Sequence, residues 1–323
     1  MPSLLQKMEI ESGLSCIYNT LFNVLQFLGL TVTESDIYFL CNPMNYRYEN
    51  EGDRSEFAFK PNRDIFLELC QSSGLCGELI ENIKTLKGFQ SIVQCLNRNI
   101  PIVCMIDQNV LPYFERNFEG DGYQNETHCI ILQSIDIENG LARIADGYYI
   151  DNMARIQVYI GNISLDILLD NCLIGFVITD IQGWNITEEK VVWYIGQCLS
   201  AFLYGHDQSD NSGIFALRQA ISAIAQLSGD SINNLAYLLK VNFIQMFDYL
   251  SQAVNKYDTY FVDGNLTGEL LVQLKRNWNV FYYRLLKLQY KDMHYYQRAI
   301  QEGIDILDQQ EGLFVRILEQ IRG

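Results

Sequence analysis

The chain is short of histidine, of paired cysteines and of clustered positive charge, and each shortage removes a class of function. Only three histidines occur in 323 residues, at positions 128, 206 and 294. No Cys-x-x-Cys pair accompanies them, so nothing has the ligand spacing of a structural zinc site. Lys and Arg number 23 against 39 Asp and Glu, a formal charge of −16, and no basic block stands out. Such a chain would release no phosphate counterions, which argues against a nucleic-acid partner. The start, MPSLLQKMEIESG, lacks a charged n-region followed by an apolar h-region, and apolar runs break well before the length of a membrane span. The expectation is a cytoplasmic protein with no membrane partner. Neither an internal repeat nor a low-complexity tract is present.

What is there suits a globular chain of one or two domains, with 49% hydrophobic and 19% charged residues. Nine cysteines lie scattered singly at 16, 41, 70, 76, 95, 104, 129, 172 and 198. Most sit in apolar runs such as IVCMI and HCIIL, the usage of a reducing compartment.

The first 180 or so residues mix helices and strands. Ile17, Leu21, Val24, Leu25 and Leu28 form a helical stripe behind Cys16, with Ser15 as candidate N-cap and Gly29 as stop. Thr33 to Cys41 reads as a second short helix, and NYRYENEGDRSE after it as a loop. Helices are expected at about 61–73 and 88–98. Strand patterns follow at 100–106, 128–135, 141–146, 155–160 and 174–179, with turn residues that suit an antiparallel meander. From about 186 only helical patterns appear, opening on Thr187 with Glu188 and Glu189 in the first turn. Strands and helices in separate blocks mean an α+β fold with a helical appendage, divided as 1–183 and 184–323.

Chemistry concentrates near Cys16. A helix N-terminus favours an anion, which a nucleophilic thiolate is. Such a thiolate needs a base, and the base needs a group that fixes its ring. His128 is the one histidine in the first block, at the start of the strand HCIIL. Alternation sends Cys129 to the opposite face, as a packed rather than reactive thiol. Asp146, in IADGYY one strand later, is placed to reach the His128 ring. Each residue also has a plainer reading: a structural thiol, a surface or satisfied histidine, a turn-forming Asp-Gly. Their order, with Cys on a helix and His and Asp on strands, is that of papain-like folds.

These residues also resemble a family. SCIYNTLFNVLQFLGLTVTESDIYFL is similar to the opening of the BtrH family of butirosin biosynthesis. IPIVCMIDQNVLPYFERNF, THCIILQSID and IADGYY resemble its core, and NSGIFALRQAISAIAQL its helical second half; residues 45 to 95 match loosely. The resemblance implies a papain-like cysteine protease fold, an N-terminal Cys helix packed on an antiparallel sheet, followed by an all-helical domain. It implies an acyltransferase of natural-product, antibiotic-like biosynthesis. An acyl group leaves the 4'-phosphopantetheine arm of an acyl or peptidyl carrier protein, passes through Cys16 and ends on a small amine as an amide. There is no other cofactor and no metal in that scheme. The sequence departs from the pattern at Ile17, where the family commonly has His, and at Ile10, where papain-like peptidases place an oxyanion-binding Gln. Gln6, Asn19 and the Cys16 N–H are the remaining candidates for that work.

Further candidates surround the triad. Tyr113, Phe114, Tyr148 and Tyr149 are candidates to line an acyl tunnel or to be core aromatics. Asp107 is placed either to bind the acceptor amine or to cap its turn. In the helical half Arg276, Arg284, Lys287 and Lys291, with Lys275 adjacent, form either a carrier-docking strip or a solvated face. His206 and His294 have no partner pattern. Two other readings use the same residues: a papain-like peptidase or amidase, and a carrier-binding scaffold without chemistry.

Overall fold

The computed structural model describes residues 4–44, 47–51, 54–58, 60–114, 127–151, 155–205, 212–288 and 293–322. The chain begins with helices α1 (Cys16–Phe27) and α2 (Glu34–Leu40), then a hairpin of β1 (Arg47–Glu51) and β2 (Arg54–Ala58). Next come α3 (Asn62–Ser73), β3 (Cys76–Glu81), α4 (Leu86–Asn97) and β4 (Ile102–Asp107). Strands β5 (Thr127–Asp136), β6 (Leu141–Ile150) and β7 (Ile156–Ser164) lead through the short helix α5 (Leu165–Asn171) into β8 (Cys172–Asp180). Helices α6 (Glu188–Tyr204), α7 (Gly213–Ala223), α8 (Gly229–Leu238) and α9 (Gln245–Lys256) follow. The long helices α10 (Gly264–Leu288) and α11 (Met293–Arg322) complete the fold.

These elements group into two compact units, Met1–Ile37 with Phe66–Asn185, and Tyr38–Ile65 with Ile186–Gly323. The fold is α+β, as the block pattern implied. The expected division at 183/184 differs from these units in one respect, because residues 38–65 group with the helical half. Aromatic packing is the reason: Tyr38 stacks on Tyr249 at 4.3 Å, and the Phe39 carbonyl accepts the Cys198 thiol. The stretch read as a loop also holds the β1–β2 hairpin, paired from Arg47↔Ala58 to Glu51↔Arg54. Its strands are mostly charged, so no apolar alternation announced them. Strand β3 and helix α5 escaped the pattern reading in the same way, being short and mixed in polarity.

In the first unit six strands form one antiparallel sheet in the order β3-β8-β4-β5-β6-β7. Strands β4 to β7 form a meander as expected, but β8, the fifth strand expected in it, does not pair with β7 and returns instead to the other edge of β4. Alternation gives the sheet two apolar faces. Ile102, Cys104, Ile130, Leu132 and Ile144 belong to one buried cluster that includes Ile92 of α4 and Leu168 of α5. Helix α1 packs on the opposite face, against β5 and β6. Phe66 of α3 covers the β8 end of the sheet, stacked on Phe176 at 4.8 Å.

The second unit is held by aromatic residues at helical spacing. Trp278 and Phe281 of α10 are fully buried and meet edge to face, and Phe243 meets Trp278 in the same way. A single π-type turn, Leu239–Phe243, joins α8 to α9. Thr187 caps α6 by accepting the Lys190 N–H at 3.3 Å. No helix among the described residues is long and apolar enough to cross a membrane.

Candidate active site

Cys16 is the first residue of α1, and the chain in front of it is held from three sides. Ser15 is extended, and its side chain makes no cap. Instead the Glu34 carboxylate accepts the backbone N–H groups of Leu14 and Ser15 at 3.1 Å. Asn19 and Asn23, one turn apart, both donate to the Glu11 carbonyl, and Asn23 Oδ1 accepts the Glu11 N–H. Gly13 donates to the Gly147 carbonyl at 3.2 Å, tying this segment to β6. An ordinary side chain at Gly13 would collide with Asn19 and Glu34, so a glycine is required there.

The β6 side of that tie is a β-bulge. Pairing runs Asp146↔Tyr159 and then Tyr149↔Gln157, so Gly147 and Tyr148 together oppose Val158. The bulge lets the Tyr148 N–H turn back onto Asp146 Oδ1 at 2.8 Å. It also brings β6 against α1 so closely that a Cβ on Gly147 would lie 2.0 Å from Asn19 Oδ1.

Asp146 and His128 are buried, 1% and 4% exposed, and joined by a 2.7 Å bond between Oδ2 and Nε2. Because Nε2 is engaged there, the hydrogen bond of the ring to Cys16 runs through Nδ1. Asp146 Oδ2 also accepts the Tyr113 O–H at 2.9 Å. Tyr113 is stacked on Tyr159 at 4.0 Å, and Phe114 meets the His128 ring edge to face at 4.9 Å. The histidine–carboxylate pair is therefore walled by aromatic rings.

The electrostatics favour a thiolate–imidazolium pair. A hydrogen bond from the Cys129 thiol, outweighing burial, holds Cys16 well below the ordinary thiol range; the His128 charge adds to it. Burial pulls His128 down, but the charge and hydrogen bonds of Asp146 and Cys16 prevail and raise it to about 10. Burial pushes the Tyr113 phenol far up, and the Asp146 charge pushes it further, so it remains a donor.

The structure thus brings Cys16, His128 and Asp146 together from α1, β5 and β6. Several neighbours are placed differently from a substrate-contacting role. Asn19 is fully buried, with Nδ2 on Glu11 and Oδ1 accepting from Asn23, so its side chain is committed to holding the segment before α1. Tyr113 holds Asp146. Asp107 Oδ1 accepts both the N–H and the side-chain amide of Asn109, the turn-capping alternative. Tyr148 remains half-buried and contributes its backbone N–H to Asp146.

On α10, Arg276 and Lys287 are exposed along with Val272, Val280 and Tyr283. Arg284 is instead paired with Glu302, and Lys275 with Asp248. Lys291, His206 and the Gln6 side chain lie outside the described residues. Among the described residues no group of three or more His, Cys, Asp or Glu side chains is arranged to hold a metal ion. Sequence reasoning missed the parts played by Tyr113, Cys129 and Glu34. It also missed the bulge, although a glycine inside a strand pattern is the usual sign of one. No family model and no curated protein matches the chain.

Proposed function

We propose that this protein is a cysteine-dependent acyltransferase that forms an amide through a Cys16 acyl-enzyme. The observation that carries the reading is the convergence of Cys16, His128 and Asp146, with His128 Nε2 held at 2.7 Å from Asp146 Oδ2. Three groups from separate elements meet in the order nucleophile, base and orienting carboxylate. A Cys-bearing helix on an antiparallel sheet is also what a papain-like fold requires.

The Cys16 thiolate attacks the carbonyl of a thioester carried on a pantetheine arm. The pantetheine sulfur leaves as a thiol, taking the proton from the His128 imidazolium. Neutral His128 then accepts a proton from the attacking amine while Cys16 departs as thiolate, which restores the ion pair. Asp146 keeps the ring oriented throughout, and Tyr113 keeps Asp146 oriented. The Cys16 N–H, first in α1 and without an intrahelical acceptor, is the oxyanion donor in this scheme. A thioester is already an activated donor, which suits a site where Asn19 is committed elsewhere. The carrier protein is acidic and docks on the α10 face that presents Arg276 and Lys287; the setting is natural-product biosynthesis.

The test is an intact-mass measurement after mixing the protein with an acyl-pantetheine thioester. The expected result is one acyl adduct on Cys16, discharged as amide when a small amine is added. Absence of an adduct, or an equal adduct on Cys16→Ala, overturns the reading. Release of free acid without amine turns it into a hydrolase.

A further inference from the structure

Cys129 is the neighbour of Cys16 that the acyl-transfer scheme leaves unused. It follows His128 in β5, and alternation aims its side chain at the α1 face rather than at the cluster containing Ile130. There it is fully buried, while Cys16 is half-buried. Thr20, one turn beyond Cys16, donates its hydroxyl to the Cys129 carbonyl at 3.1 Å. That bond fixes this point of β5 against the first turn of α1. The Cys129 thiol and N–H are accordingly the groups of β5 that, with His128, stabilise the Cys16 thiolate.

We propose that Cys16 and Cys129 form a reversible disulfide, which makes the site a hydroperoxide-responsive dithiol switch. The inference rests on the reactive Cys16 thiolate of the proposed function but not on acyl transfer itself.

The order of events follows from exposure. A hydroperoxide reaches the half-buried Cys16, whose thiolate attacks the terminal peroxide oxygen; the O–O bond breaks, the other oxygen leaves as alcohol or water with the proton of the His128 imidazolium, and Cys16 becomes a sulfenic acid. The buried Cys129 sulfur then attacks the Cys16 sulfur, the S–O bond breaks, and hydroxide leaves with the Cys129 proton as water. Two electrons have passed from the two thiols to one peroxide. Cys129 is held protonated by its hydrogen bond to Cys16, by burial and by the charge on Cys16. The first and last of these vanish once Cys16 carries a neutral sulfenic group, so oxidation of one thiol primes the other. A second close pair, Cys104 and Cys172, is hydrogen-bonded as well. Both of its members are buried, so an oxidant finds no exposed entry there.

The deciding experiment treats the reduced full-length protein with about five equivalents of hydrogen peroxide, enough for the two-peroxide route to sulfinic acid, quenches it with iodoacetamide and maps peptides without reduction. The wild type is expected to lose two hydrogens, to yield a Cys16–Cys129 cross-linked peptide, and to regain Cys16 alkylation after dithiothreitol. In Cys129→Ala the Cys16 that is oxidised is expected to end as sulfinic acid, with no cross-link and no recovery after dithiothreitol. The proposal is overturned if wild-type Cys16 proceeds to sulfinic acid without that cross-link, or if the disulfide joins Cys104 to Cys172. The wild-type map decides the matter even where the variant fails to fold. An acyl adduct on Cys16 without the cross-link removes the switch alone, and the cross-link without an adduct removes the acyltransferase alone.

Discussion

Tyr113 donates its phenolic O–H to Asp146 Oδ2 at 2.9 Å, the same oxygen that meets His128 Nε2 at 2.7 Å. With the Tyr148 N–H on Oδ1, both oxygens of the carboxylate are engaged. A buried carboxylate so held cannot swing away from the imidazole, and the ring keeps Nδ1 toward Cys16. Charge-assisted hydrogen bonds of this kind are each worth about 1.5–3 kcal/mol.

Tyr113→Phe deletes one donor without changing the stack on Tyr159. Acylation of Cys16 should fall by about tenfold or more, the equivalent of roughly 1.4 kcal/mol, with a much smaller change in thermal stability. Single-turnover acylation and a melting curve, run on the same preparation, check both halves. Unchanged acylation would make Tyr113 an ordinary core aromatic.

The pH profile of Cys16 reactivity is the second consequence. The thiolate lies well below the ordinary range, so alkylation should persist at about pH 6, where a free thiol is almost unreactive. The proposed acyl transfer also needs the imidazolium and should decline as pH rises through about 10, where His128 loses its proton. Asp146→Asn removes the charge and hydrogen bond that oppose burial of that imidazolium. Its alkaline limb is therefore expected at lower pH than in the wild type. A limb that moves upward, or stays in place, contradicts the assignment of Asp146 as the raising partner.

How much of this was legible in the sequence differs from residue to residue. The α1 stripe and the meander showed because apolar residues recur at the helical and strand periods. Cys16, His128 and Asp146 showed because each is a chemistry-bearing residue at the end of, or within, a strongly patterned segment. The hairpin of residues 47–58 did not, since charged side chains carry no inside–outside signal. Nor did the support of these three residues: Tyr113, Glu34 and Cys129 act through contacts with residues 33, 20 and 113 positions away. Such pairings arise from sheet order and register, which periodicity does not encode. Alternation did put Cys129 opposite His128, as a packed thiol, but gave no sign that it acts on Cys16.

Glu34 gives a prediction about the approach to α1. Its carboxylate takes the place of a capping side chain, accepting from Leu14 and Ser15 where Ser15 itself makes no cap. Glu34→Ala should lower stability by about 1–2 kcal/mol, the range of a lost helix cap. Hydrogen exchange should rise at the amides of Leu14 and Ser15 before the rest of α1. Exchange unchanged at these two amides would mean that the carboxylate is not their acceptor in solution.

The bulge provides the sharpest structural test, because it ties the segment before Cys16 to the strand that carries Asp146. A methyl group at Gly147 would lie 2.0 Å from Asn19 Oδ1 and 2.5 Å from the Glu11 carbonyl, a backbone atom that cannot swing aside. Gly147→Ala must therefore push α1 away from β6. Overpacking of this kind costs about 1–3 kcal/mol. The displacement moves Cys16 relative to His128, since Gly13, three residues earlier, is bonded to Gly147. Cys16 should then lose its thiolate character, and its alkylation at about pH 6 should drop by about tenfold or more. Gly312→Ala is the control: nothing lies within 4 Å of its would-be Cβ. In the middle of α11 it should be neutral or stabilising by up to about 1 kcal/mol. Loss of stability in Gly147→Ala with full Cys16 reactivity would separate the bulge from the site. Loss of both, with the control intact, would show that the close approach of α1 to β6 is what keeps the thiol and the imidazole in register.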